Sequence, residues 1–188
     1  AAVGRQLLRS VGWDGTTPVV AICPINPFWW PVTPDLTKTA AHLLANEFAD
    51  ERYRAFYFHA WAGDRQAAFD RYIGALAFAV NRFRADHACF PILVGMEALD
   101  RRACDALLVR LDAPAPIFDS REHRAPDLVS VLRRCRAMVS SRYHAIVTSM
   151  PAAVASGGVT MDERIRNLMH DRGHDDLYLE VDDPDLEQ

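Results

Sequence analysis

The stretch Met138–Gly158, MVSSRYHAIVTSMPAAVASGG, decides how the chain is read. A short apolar run stops at Ser140 and Ser141. Arg142, Tyr143 and His144 follow, the pattern turns helical through His144–Met150, and a second small-residue run extends from Ala152 to Gly158. Neither apolar run alternates strictly with polar residues, as expected of strands buried on both faces of a parallel sheet. Strand, junction, helix and strand in so few residues make one unit of an α/β fold.

The same rhythm continues on both sides. PVVAICPI (Pro18–Ile25), FPILVGM (Phe90–Met96), APIFDS (Ala115–Ser120) and DLYLEV (Asp176–Val181) are further apolar runs. Between them lie helical patterns. Phe69, Tyr72, Ile73, Leu76, Val80 and Phe83 recur at spacings of three and four, one face of a helix over Gln66–Arg84. Leu99–Leu111, Pro126–Arg134 (Pro in its first turn) and Met161–His170, closed by Gly173, are the others. The expected fold is an open, doubly wound, mainly parallel α/β sheet, with ligands bound beyond the C-terminal strand ends.

One segment breaks the rhythm. Residues 26–64 contain NPFWWPVTPD, a helical pattern over Leu36–Phe48 and the string RYRAFYFHAWAGD, with three of the four tryptophans, Trp29, Trp30 and Trp61. That is too long for an ordinary strand-to-helix connection. It reads as an aromatic-rich insertion, either a lid or partner surface or a layer over a sheet edge, within a domain spanning 18–188. Residues 1–17 read as a linker or helix ahead of that domain.

Composition narrows the partners. Half of the 188 residues are hydrophobic and the net charge is −4 at pH 7, so nothing points to nucleic acid or an anionic membrane surface. No apolar run approaches the roughly 18–20 residues of a membrane span, and no signal-peptide pattern opens the chain. Cys23, Cys89, Cys104 and Cys135 lack metal-ligand spacing and read as reduced thiols, which suggests a cytoplasmic protein. Lys38 is the only lysine, so cationic sites here are guanidinium sites. No Walker-type or GxGxxG sequence occurs, no cofactor is expected, and His170 and His174 read as a solvated helix end rather than a metal site.

The junction itself is the strongest candidate site. Ser140 or Ser141 can cap the following helix, which places Arg142 and His144 in its first turn. Positive side chains are disfavoured at a helix N-terminus. They make sense there if they face an anion, and a neutral imidazole beside it can exchange a proton. The alternative is an arginine bound to a nearby carboxylate and a histidine satisfied in the core. Gly157 and Gly158, followed by Asp162 and Glu163, read as a second ligand-facing loop. FDSREHR (Phe118–Arg124) is a further polar loop after a strand.

The run from Cys135 to Met169, with its Arg142-Tyr143-His144 step and the later Met161-Asp162-Glu163-Arg164 step, resembles the C-terminal signature of the polysaccharide pyruvyl transferase family. The trailing HDDLYLEVDD (His174–Asp183) matches that family's acidic strand end. The resemblance covers Ala115–Asp183 and is looser over Gly12–Ile25. It implies a Rossmann-like half of a GT-B-like architecture whose N-terminal half completes the cleft. It also implies transfer of a pyruvyl group from phosphoenolpyruvate, or another anionic donor, to a hydroxyl of a saccharide acceptor. On that likeness His144 is the catalytic acid. Arg142, Tyr143, Ser141, Asn26, Gly157, Gly158 and Asp162 bind substrate, and no metal takes part. One departure stands out. The family carries an arginine after its first strand, where this chain has Asn26; Arg52, Arg54 or Arg65 could replace it from the insertion, or the donor differs. A nucleotide-sugar glycosyltransferase of GT-B type and a non-catalytic binding module are the other readings.

Overall fold

The computed structural model describes residues 2–29, 32–34, 36–37, 40, 44, 57–59, 63–160, 163–181, 183 and 186. The chain divides into two compact units, one formed by Ala1–Asn26 with Arg71–Gln188, the other by Pro27–Asp70.

The larger unit is built on a six-stranded parallel sheet. Its strands are β1 (Val19–Cys23), β4 (Phe90–Gly95), β5 (Ile117–Asp119), β6 (Ala137–Ser140), β7 (Ala155–Thr160) and β8 (Tyr178–Glu180), with β2 (Val32–Pro34) and β3 (Tyr57–His59) belonging to the other unit. The order across the sheet is β5-β4-β1-β6-β7-β8. Counted in chain order within this sheet, that is 3-2-1-4-5-6, the doubly wound arrangement whose direction reverses between β1 and β6. Ile22 pairs with both Leu93 and Val139, and Val139 with Gly157, so the register runs unbroken across the centre.

Helices cover the two faces in the sense that right-handed crossovers require. On one side lie α2 (Gly63–Asp86, from Arg71 onward in this unit) and α3 (Asp100–Leu108), with Tyr72, Ile73, Leu76, Ala103, Cys104 and Leu107 buried. On the other lie α1 (Ala2–Ser10), α4 (Ala125–Leu132), α5 (Tyr143–Ser149) and α6 (Glu163–Asp171). Leu8, Leu128, Val131, Ile146, Ile165 and Met169 from these helices join Val19, Ala21, Ile92, Val94, Phe118 and Met138 in one core. Each such side chain withdrawn from water contributes about 1.5–3 kcal/mol.

Several boundaries differ from the sequence expectation, each for a local reason. The second small-residue strand starts at Ala155 rather than Ala152, because Met150–Ala152 form a 3-10 turn and Ala153 adopts a left-handed conformation (φ 53°). The last strand starts at Tyr178, behind a 3-10 turn over Asp175–Leu177. The helical face predicted over Gln66–Arg84 is buried at Phe69, Tyr72, Ile73 and Leu76, but Phe83 is 43% exposed.

Residues 1–17, read as a linker or helix, carry α1, which docks on α4. Leu8 is fully buried there, and the Gly4 N–H donates to Ser130 Oγ at 2.9 Å. The turn into β1 is organised by Asp14, whose carboxylate accepts the Thr17 hydroxyl at 2.6 Å and the Thr16 and Thr17 amides. Those bonds hold its pKa far below the ordinary carboxylate range.

The smaller unit contains a 3-10 turn at Pro27–Trp29, the antiparallel pair β2 (Val32–Pro34) and β3 (Tyr57–His59), and the start of α2. Arg65 Nη1 donates to the Phe28 carbonyl at 3.1 Å. Trp30, Trp61, Arg52, Arg54 and most of the helix expected over Leu36–Phe48 lie outside the described residues.

Candidate functional site

The C-terminal ends of β1 and β6 meet where the sheet order reverses, so the segments Pro24–Asn26 and Ser141–His144 leave the sheet side by side. The quoted junction therefore stands where doubly wound sheets open a ligand crevice.

The two serines have separate tasks. Arg142, not a serine, is the N-cap residue of α5, and no side chain caps the helix. Ser140 Oγ accepts the Arg142 N–H at 3.0 Å and donates to the Arg142 carbonyl at 2.9 Å, which fixes the sharp exit from β6. Ser141 Oγ shares a hydrogen bond with the Tyr72 hydroxyl at 2.8 Å, and the Ile25 N–H donates to the same hydroxyl at 3.4 Å. The Ser141 N–H donates to the Cys23 carbonyl at 3.0 Å. Burial drives the Tyr72 phenol well above its ordinary pKa, so it stays protonated and serves as a fixed bridge. Cys23 lies beneath this cluster, and burial lifts its thiol to about 12, as in an inert core cysteine.

Arg142 is the main surprise of the site. Its Nε donates to Asp100 Oδ2 at 2.9 Å, and its Nη2 donates to Asp100 Oδ1 and, at 3.0 Å, to Glu97 Oε2. Asp100 is 1% exposed and also accepts the Glu97 N–H at 3.0 Å. Asp100 follows β4 and Arg142 follows β6, and β1 lies between those strands, so the pair crosses the end of β1. Burial raises the Asp100 pKa, and the Arg142 hydrogen bonds only partly offset it. Burial also works against the Arg142 charge, but the Asp100 contacts outweigh it and hold the guanidinium firmly protonated. The carboxylate-bound arginine, one of the two readings of the sequence, is the one the fold adopts. Of the guanidinium nitrogens only Nη1 has no partner among the described residues.

A second pair extends the first. Arg101, next to Asp100, donates from Nη1 to Asp119 Oδ2 at 2.9 Å and from Nε to Asp105 Oδ1 at 2.9 Å. Asp119 ends β5, is 1% exposed and accepts the Arg121 and Glu122 amides. Burial opposes its ionisation, yet Arg101 and the two amides hold its pKa below the usual value. Arg142, Asp100, Arg101 and Asp119 thus form a charged rail along the C-terminal edge from β6 to β5. Of these four, the sequence singles out Arg142, at the junction, and Asp119, in FDSREHR, but neither Asp100 nor Arg101. The signal for Asp100 and Glu97 was GMEALD directly after an apolar run, two acids at the end of a parallel strand.

His144 differs from Arg142. It is exposed, and its imidazole has no hydrogen-bond partner among the described residues. It touches the Tyr143 ring edge-on, with centroids 5.6 Å apart. Tyr143 is half-buried, packs on the core and has the Arg164 guanidinium 5.8 Å from its ring centroid. Asn26 is buried at the end of the segment that follows β1. Asp162 lies outside the described residues.

Gly157 and Gly158 lie inside β7, opposite Val139 and Ser140, and not in a loop after a strand. Gly158 is required by packing: a Cβ there would come within 2.3 Å of Ile165 Cγ2, a methyl buried on α6. Gly158→Ala is expected to destabilise the protein by about 1–3 kcal/mol, because the branched Ile165 has no room to withdraw. Urea unfolding checks this, and Gly157→Ala, whose Cβ would meet only the Leu177 carbonyl at 3.6 Å, serves as the milder control.

No protein-family profile matches the chain, and no curated protein does. Among solved structures it is similar to the E. coli ADP-heptose LPS heptosyltransferase II, at 11% identity and a TM-score of 0.49 over 84% of this chain. The match takes in 37% of that protein, so the chain spans little more than a third of its length.

Proposed function

We propose that the chain is the donor-binding domain of a group transferase and holds a phosphate-bearing donor in the crevice at the β1–β6 reversal. The supporting observation is His144, an exposed imidazole with no hydrogen-bond partner among the described residues, next to that reversal. Its place suits proton transfer to or from the reacting group. Backbone N–H groups around Tyr143 and the single remaining Nη1 of Arg142 suit contacts to phosphate oxygens. The acceptor, a saccharide hydroxyl, and the half of the cleft that presents it belong to the same proposal.

Two donors fit this chemistry, and Arg142 separates them. Phosphoenolpyruvate carries a carboxylate and a phosphate close together, and its recognition calls for free guanidinium groups. Here Arg142 is largely committed to Asp100 and Glu97, and Asn26 stands where the pyruvyl transferase pattern has an arginine. A nucleotide-sugar donor needs fewer full charges, because a diphosphate can be held by backbone amides and the base by the crevice wall. Glycosyl transfer from a nucleotide-sugar is therefore the first reading and pyruvyl transfer the second.

Calorimetry with nucleoside diphosphates and with phosphoenolpyruvate tests both. The expected result is diphosphate binding that weakens about tenfold in His144→Ala, whose exposed side chain leaves folding unaffected. Tighter binding of phosphoenolpyruvate reverses the order of the two readings. Binding of neither ligand removes the donor-domain proposal.

A further inference from the structure

A cavity of about 370 Å³ opens at the other end of the sheet, where β7 begins. Ile146, Val154, Leu168 and Met169 form apolar walls, with Met150 and Leu177 beside them. Val154 and Ala155 mark the N-terminal end of β7, so about 16 Å of strand separates this cavity from the C-terminal edge. Of the elements that present Arg142 and His144 it shares only α5, through Ile146, which lies on the helix's buried apolar side.

Its rim carries one guanidinium and one imidazole and no carboxylate. Arg172 and His174 line the opening, and neither side chain has an ion-pair or hydrogen-bond partner among the described residues. Gly173 between them is left-handed (φ 67°) and ends α6, with His174 N–H bonded back to the Met169 carbonyl at 2.9 Å. That turn sets Arg172 and His174 at the same opening. Asp171, Asp175 and Asp176 share the turn but do not line the cavity, and Asp175 is bonded to His170 at 3.0 Å. The lining also contains Ala153, the one non-glycine residue with positive φ among the described residues. A strained backbone position in a cavity wall is a feature that ligand sites share.

We infer that this cavity is a second ligand site, for a small amphiphilic carboxylate whose apolar body fills the Ile146–Met169 pocket and whose charge meets Arg172. Its size suits a ligand on the order of ten non-hydrogen atoms. The site lies apart from the donor crevice, so it stands whether or not the transferase reading holds.

Methionine-methyl NMR on the full chain tests it, with hexanoate as the probe. The methyl groups of Met150 and Met169 should shift on titration, while that of Met96, which does not line the cavity, should not. Hexanol lacks the charge and acetate lacks the apolar body, so both should bind at least about tenfold more weakly than hexanoate. Arg172→Gln, a change at an exposed position, should weaken hexanoate by a similar factor. Silent Met150 and Met169 methyls at millimolar hexanoate overturn the site. So does equal binding of hexanol or acetate, or an unchanged affinity in Arg172→Gln.

Discussion

Replacing Arg142 with methionine is expected to cost about 3–5 kcal/mol of stability. Methionine retains most of the buried stem but leaves Asp100, 1% exposed, with a carboxylate whose remaining hydrogen-bond partner among the described residues is the Glu97 amide. In a chain of this size the midpoint should fall on the order of 10 °C. The double variant Arg142→Met with Asp100→Leu should recover most of the loss, because removing both charges removes the stranded one. The pH dependence carries a definite sign. The folded-state pKa of Asp100 is already raised above 3.8, and loss of Arg142 raises it further. Ionising Asp100 therefore costs the folded state progressively more as pH climbs through that window. The deficit of Arg142→Met relative to the double variant should shrink on acidification and grow toward neutral pH. Urea titrations across that range measure it. A deficit that stays constant with pH, or no deficit at neutral pH, would falsify the structural role of the pair. For the proposed donor site, a loss of binding in an Arg142 variant would therefore report stability as well as contact, and His144 is the cleaner probe.

Gly4→Ala is expected to be the next most damaging change, at about 2–4 kcal/mol. A Cβ at Gly4 would lie 2.0 Å from the Ser130 carbonyl oxygen and 2.5 Å from its carbon, both backbone atoms of α4. Neither helix can yield by rotating a side chain, so α1 must lift away. That exposes Leu8, fully buried against α4 and the sheet, and loses a transfer term of about 1.5–3 kcal/mol in addition to the strain. Ser130→Ala, which removes only the hydroxyl that accepts the Gly4 N–H, should cost about 1 kcal/mol. Hydrogen exchange over Ala2–Ser10 distinguishes the two: rapid exchange along α1 in Gly4→Ala and near-normal protection in Ser130→Ala. Equal, small effects of both variants would show that α1 is a loose appendage.

The reach of the sequence is easiest to see by comparing β1 with Arg142. Val19–Cys23 and Phe90–Gly95 are continuous apolar runs, and their spacing around α2 already implied a parallel sheet with helices on both faces. The junction after β6 was legible as well, since a guanidinium and an imidazole at a strand end are unusual in any fold. What those side chains touch was not. Asp100 precedes Arg142 by 42 residues, and the two meet only because the strand order places β4 and β6 on either side of β1. Gly157 and Gly158 suggest a ligand-facing loop because paired glycines let backbone approach a ligand closely and Asp162 and Glu163 follow. The contact that makes Gly158 necessary comes from Ile165 on α6, through packing that no local pattern records. Ala153 gave no signal at all, because alanine carries no preference for a left-handed backbone.

The hydrogen bonds that join Ile25, Tyr72 and Ser141 have a consequence for how this sheet accommodates change. Ile25 is among the last residues before the Pro27–Asp70 unit, and Tyr72 is among the first after it. One phenol oxygen ties the exit and re-entry points together and anchors both to the end of β6. The scaffold thus presents a closed doorway through which a polypeptide of almost any length can depart and return without disturbing the strands. A change of length between Ile25 and the start of α2 at Gly63 should therefore leave the register of the sheet intact.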